Sequence, residues 1–252
     1  MAGLYQEEVV VLVKAVPQVG AKHGETVCCA GVTRDFKWRR LYPIRFRRLQ
    51  NDARFTRWQF VQYRASRPVH DARHESRHVY EDSINSGSML SEKERTAMID
   101  RLTLPSARHA AELGQSLTVV RPLRLEFSIK PRKQADYDAL CRSYDHAAKQ
   151  TSFLDAELKA FKPPPFRFRV RFEDADGSHN HECGDWETIA TFTKWRDSYG
   201  EEQAIKLLTE KYNNEYQRKG MVVALGTMAK RPKTWTLLGL IRADIVTQGN
   251  LF

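Results

Sequence analysis

Between Phe36 and Arg48 the sequence interleaves cations with flat rings: Phe36-Lys37-Trp38-Arg39-Arg40-Leu41-Tyr42, then Arg45-Phe46-Arg47-Arg48. Guanidinium groups neutralise phosphates and aromatic rings stack on bases, so this combination has the chemistry of a single-stranded nucleic-acid groove. Trp38 and Tyr42 are the expected stacking rings; Lys37, Arg39, Arg40, Arg45, Arg47 and Arg48 are the expected phosphate contacts. Arg73, Arg77 and the later basic run Lys230, Arg231 and Lys233 join them as supporting cations. The competing reading is a solvated face whose arginines lay their stems over core rings.

Two other groupings could do chemistry. Asp71-Ala72-Arg73-His74-Glu75-Ser76-Arg77-His78 crowds ionisable groups as a general acid/base or metal site would, and a metal-dependent nuclease or nucleotide-processing enzyme would use Asp71, His74 and Glu75. Charge-rich stretches commonly pair internally, so a network of ion pairs is the expectation here. His179, His181 and Cys183 alternate along one strand and could join Cys28 or Cys29 around zinc. They share a face with Val170 and Phe172, so a core role is expected instead. Asp185-Trp186-Glu187 reads as a helix start. No catalytic residue, metal or cofactor is expected.

The 252 residues carry a formal net charge of +10, with 41% hydrophobic and 10% aromatic residues, enough for packed cores. Residues 1–80 hold fifteen Lys+Arg against seven Asp+Glu, a local +8. The apolar run Val9–Val13 is far short of the roughly 20 residues that span a bilayer, and Glu7 and Glu8 precede it where a secretory leader would carry positive charge. The expectation is a cytoplasmic protein with no membrane partner and four reduced cysteines.

These side chains need elements to hold them. Val9–Lys14, Glu25–Thr33, Phe36–Tyr42 and Phe55–Ala65 read as strands. The region 67–91 reads as a polar stretch, and Ser91 opens a helix with a capping-box pattern that ends before Pro105. Residues 116–129 return to strands, 130–162 are helix-prone, and Pro163-Pro164-Pro165 stiffens the chain. Phe166–Phe172 and Ser178–Cys183 form a hairpin; with Asp176-Gly177 as its loop, Arg171 faces Glu182 and Phe172 faces His181. Helices from Asp185 and Glu201 follow, then strands Met221–Gly226 and Thr234–Ile241 joined by the basic loop Met228–Lys233.

The segments Val11-Leu12-Val13-Lys14, Glu25–Val32 and Trp38-Arg39-Arg40-Leu41-Tyr42-Pro43 resemble a group of bacterial proteins described as dual OB-containing. Asp71–Ser76, Gly184–Glu187 and Leu225-Gly226-Thr227 near Trp235 are similar to the same group. The resemblance implies two oligonucleotide-binding (OB) barrel-type modules, a nucleic-acid-related role and a setting in genome defence or mobile elements. It supplies no catalytic residue.

The expected fold is thus α+β: two small β-barrel-like modules with helical insertions, at 1–130 and 163–252, joined by a helical connector at 131–162. The expected function is non-catalytic binding of DNA or RNA, single strands favoured, presented to a partner enzyme. The alternatives are the metal-dependent enzyme and a protein-interaction adaptor with a basic face.

Overall fold

Val9–Val13 is apolar at every position because its strand is buried on both sides. The structure, a computed structural model, describes residues 3–20, 24–49, 51–151 and 161–244. The first strands are β1 (Tyr5–Lys14), the short β2 (Gln18–Gly20), β3 (Gly24–Val32), β4 (Trp38–Ile44), β5 (Gln59–Ser66) and β6 (Ser76–Met89). Five of them run in the order β1-β5-β6-β4-β3, and a β1–β3 pairing closes the ring. All neighbours are antiparallel except β4 and β6. This is a Greek-key barrel of the OB type. Val9, Val11, Val27, Cys29, Leu41, Ile44, Val61, Tyr63 and Val79 fill its interior.

Next come α1 (Glu92–Leu102), β7 (Thr103–Leu104), α2 (Ala107–Glu112), β8 (Leu117–Val120), β9 (Arg124–Pro131) and α3 (Gln134–Thr151). Ser91 caps α1 through the expected capping box with Glu94. The rest of the expected connector, 152–160, lies outside the described residues. Then follow β10 (Phe166–Asp174), β11 (Gly177–Glu182), α4 (Trp186–Tyr199) and α5 (Glu201–Glu210). After a π-helical turn at Lys211–Glu215 come α6 (Tyr216–Lys219), β12 (Met221–Met228) and β13 (Arg231–Arg242). These strands make two sheets, β11-β10-β9 and β13-β12-β8-β7.

The four-stranded sheet is the middle layer. One face sets Leu117, Val119, Val222, Ala224 and Ile241 against the outer face of the barrel, Val10, Leu12, Ala30, Val32 and Trp38, with Met98, Ile99 and Leu102 of α1 in the same cluster. The other face sends Val120, Val223, Leu225, Leu237 and Leu240 into a core with Phe127, Phe168, Val170, Phe192 and Leu208. Two glycines permit the close crossings: a Cβ on Gly31 would stand 2.7 Å from the Val10 carbonyl oxygen, and one on Gly226 2.9 Å from a Leu117 methyl.

Three sequence expectations change. First, β8 pairs with β12 and β9 with β10, so a module boundary at 130 would cut through two sheets. Secondly, Ser76–Met89, expected within a polar stretch, is the barrel's fifth strand. Thirdly, the β10–β11 hairpin pairs Arg169 with Glu182, Val170 with His181 and Phe172 with His179, a register two residues from the expected one. The turn is Ala175-Asp176, tightened by an Asp176 N–H bond to the Asp174 carboxylate, and Gly177 takes its positive φ of 109° just after it. A slip of two residues preserves sidedness, so His179 and His181 still share the face of Phe172 and stack near its ring.

Candidate nucleic-acid interface

The strands β3 and β4 carry the face with which OB barrels meet oligonucleotides. Here the middle sheet covers that face. Trp38 is 5% exposed and packs in the shared core, so its ring is not available to stack on a base. Arg40, expected as a phosphate contact, is 4% exposed. Its Nε donates to Ser116 Oγ at 3.1 Å and its Nη2 to the Ser116 carbonyl. Glu75, 1% exposed, accepts from Ser116 N at 2.7 Å and Ser116 Oγ at 2.6 Å. Both expectations fail for one reason: what the barrel alone would offer to a ligand is used to hold its own C-terminal half.

Most of the other arginines are neutralised within the barrel. Arg39, Arg77 and Glu7 point inward at one mouth, where Glu7 accepts from Arg39 Nε at 2.8 Å, Arg77 Nε at 2.6 Å and Tyr63 Oη at 3.1 Å. Burial acts to raise the Glu7 carboxyl, but the hydrogen bonds and charges of Arg77 and Arg39 bring it below its ordinary value. Arg45 pairs with Glu81 at 2.7 Å and Arg47 with Glu25 at 2.8 Å. At Glu25 burial wins over Arg47 and the carboxyl is raised. Arg48 is half-buried in a short 3-10 turn, and Lys37 pairs with Asp35 at 2.8 Å.

The charged stretch at 71–78 is a network of internal bonds. Arg73 binds Asp71 at 2.6 Å, and Ser76 Oγ donates to the same carboxylate at 2.7 Å. Burial acts to raise Asp71, but these partners bring it down to about 2. His74 is exposed and its Nε2 stands 4.0 Å from Glu75. His179 Nε2 lies 2.8 Å from the buried Asp174, and burial pushes the Cys183 thiol up to about 12. Among the described residues no three His, Cys, Asp or Glu side chains gather as metal ligands.

What faces solvent is a different group. Tyr42 and Tyr80 are each 41% exposed. Tyr42 pairs with His78 across the parallel β4–β6 ladder, and His78 meets Tyr80 edge to face with centroids 5.5 Å apart. On β5, Arg64 pairs with Tyr80, and Ser66 Oγ lies 3.4 Å from Tyr80 Oη. By the two-residue strand period, Tyr42, His78 and Tyr80 lie on the outside of the barrel while Leu41 and Val79 lie inside. Tyr80 is not among the sequence candidates, and His78 is one only as part of the ionisable cluster at 71–78, not as a stacking ring. The spacing Ser76-x-His78-x-Tyr80 was the available signal, hidden in a stretch read as polar.

A basic arm adjoins this strip. At the β12–β13 tip Met228 pairs with Arg231, so Lys230 sits in a two-residue turn and Arg231 and Lys233 on the returning strand. All three are exposed, and among the described residues none has a carboxylate at ion-pair distance. Arg73 donates to the Thr227 carbonyl, and Gly226 abuts Arg40, which anchors the arm beside β4 and the 67–75 loop. That loop adds exposed Arg67, His70 and His74.

No helix among the described residues is long and apolar enough to cross a membrane. No curated protein matches the chain at a significant level. The crystal structure of the tetrameric p202 HIN2 aligns over 94% of this chain and 89% of its own, at 9% identity and a TM-score of 0.32, too low to establish a common fold. Residues 5–104 match a domain of unknown function, DUF8758. A second domain of unknown function, DUF8757, matches residues 98–252, more than half of the chain, and the protein belongs to that family.

Proposed function

We propose that the protein binds single-stranded nucleic acid, without catalysis, on the outer β4–β6–β5 surface of its barrel. The observation that carries this reading is the outer strip of an OB-type barrel, exposed Tyr42 and Tyr80 around half-buried His78, together with exposed Lys230, Arg231 and Lys233 on the hairpin tip whose base Arg73 and Arg40 hold. Bases stack on the rings and phosphates meet the hairpin arm. Of the cations expected from sequence, this site keeps Lys230, Arg231, Lys233 and, as an anchor, Arg73. Delivery of the bound strand to a partner enzyme belongs to the same proposal, as does a setting in bacterial defence, which rests on the sequence resemblance.

Titration of the full chain against single- and double-stranded DNA and RNA at two salt concentrations tests it. Single strands should bind more tightly, and replacing Lys230, Arg231 and Lys233 by Ala should flatten the salt dependence by roughly 0.7 for each phosphate no longer neutralised. Equal binding of duplex and single strand, or an unaltered salt slope in the triple variant, would sink the reading.

A further inference from the structure

The three-stranded sheet has one covered face and one open one. Phe127, Phe168, Val170 and Phe172 point from β9 and β10 into the core beneath α4 and α5. The opposite face belongs to the alternate residues. Arg167, Arg169 and Arg171 follow one another along β10, with Lys130 beside Arg167 and Arg124 beside Glu173 on β9. Alternate side chains of a strand recur about every 6.8 Å, comparable to the step between successive phosphates of an extended polynucleotide.

The carboxylates on this face hold its cations loosely. Arg171 stands 3.9 Å from Glu126 and Arg124 3.9 Å from Glu173, too far for hydrogen bonds and well exposed. Glu182 is engaged by Arg132 at 2.7 Å. Arg169 donates to the neutral Asn180 side chain at 2.6 Å, and Arg167 meets Asp136 at 3.1 Å. The remaining positions on the face are small or polar, Ser128, Ser178 and Asn180. It therefore lacks the buried aromatic or aliphatic anchors on which a stable protein interface depends. A phosphate backbone needs only spaced cationic donors.

We infer that the outer face of β9–β10–β11 is a second nucleic-acid contact, which tracks the phosphate backbone through Arg167, Arg169 and Arg171 without reading bases. The inference rests on the nucleic-acid reading above and adds a site that contains no stacking ring. A strand long enough to reach both surfaces gains affinity from the linkage, whereas a short one occupies either.

The test compares four full-length proteins on a short and a long labelled oligothymidylate across a salt series. They are the wild type, the triple Arg→Gln variant at 167, 169 and 171, the triple Arg→Lys variant, and the Tyr42→Ala/Tyr80→Ala variant. The Gln variant should bind the long oligomer more weakly, with a salt slope lower by about 2, from roughly 0.7 for each phosphate neutralised. The Lys variant should restore that slope, and all melting temperatures should stay close to wild type. An unchanged slope in the Gln variant overturns this inference. If only the tyrosine variant loses affinity, the aromatic site stands and this one falls; if only the Gln variant does, the reverse holds. Loss of polyglutamate binding with DNA binding intact would assign the face to an acidic protein, and would also overturn it.

Discussion

Trp38 and Tyr80 are both large rings on the outside of one barrel, and their surroundings separate their roles. Trp38 packs against the middle sheet and Tyr80 faces solvent. Replacing Trp38 by Ala should leave a cavity costing about 3–5 kcal/mol, read in a denaturant melt, with affinity per folded molecule unchanged. Tyr80→Ala should leave the melt nearly unaltered and cost roughly 1–3 kcal/mol of affinity for a single strand. Aromatic–cation interleaving was legible at Phe36–Arg48, but residue type cannot say which ring is covered. That depended on a sheet more than seventy residues further along the chain.

Local signals are strongest at the level of elements. Asp185 was legible as a helix start, and it caps α4 through the Glu187 N–H at 3.1 Å. Its second role was hidden: it receives Arg57 of the barrel at 2.9 and 3.1 Å and the Leu240 N–H at 3.1 Å, fully buried. Asp185→Ala leaves that guanidinium uncompensated and should cost on the order of 3–5 kcal/mol, measured by equilibrium unfolding. The 67–75 loop gives an acid-side prediction. Asp71 lies near 2 in the folded protein, against about 3.9 for a free side chain, so its stabilisation is complete above about 4 and is lost as pH falls through about 2. The stability gap between wild type and Asp71→Asn should close over that window; a gap independent of pH would count against the Asp71–Arg73 pair.

The halves of the whole molecule are not separable by their packing. The family matches meet at residues 98–104, within α1 and β7, and α1 belongs to the core that joins barrel and middle sheet. Unfolding followed by far-UV dichroism and by tryptophan fluorescence should therefore give one coincident transition. Two resolved transitions would show that the shared core does not couple the halves. A fragment ending near residue 104 would expose Val10, Leu12, Ala30 and Val32 together, and should aggregate where the full chain remains dispersed.

Composition, charge placement, helix caps and the alternation of β10 were readable without coordinates because each depends on neighbours a few residues apart. Even the two-sided burial of β1 was written in the unbroken run Val9–Val13. The strand identity of Ser76–Met89 was not, since only Val79 and Ile84 among its apolar positions lie in the barrel core, a pattern too sparse to separate strand from loop. The hairpin register was set by the Asp174 side chain and by Gly177 following the turn, not by the charge pair that the sequence suggested. Solvent exposure of the cations was decided last and from furthest away: carboxylates at Glu7, Glu25, Asp71 and Glu81 neutralise the barrel's arginines, and the sheet that covers β3 and β4 leaves Tyr42 and Tyr80, with half-buried His78 between them, as the open aromatic surface. Burial is a property of what packs on a side chain, and here that partner comes from the other half of the chain.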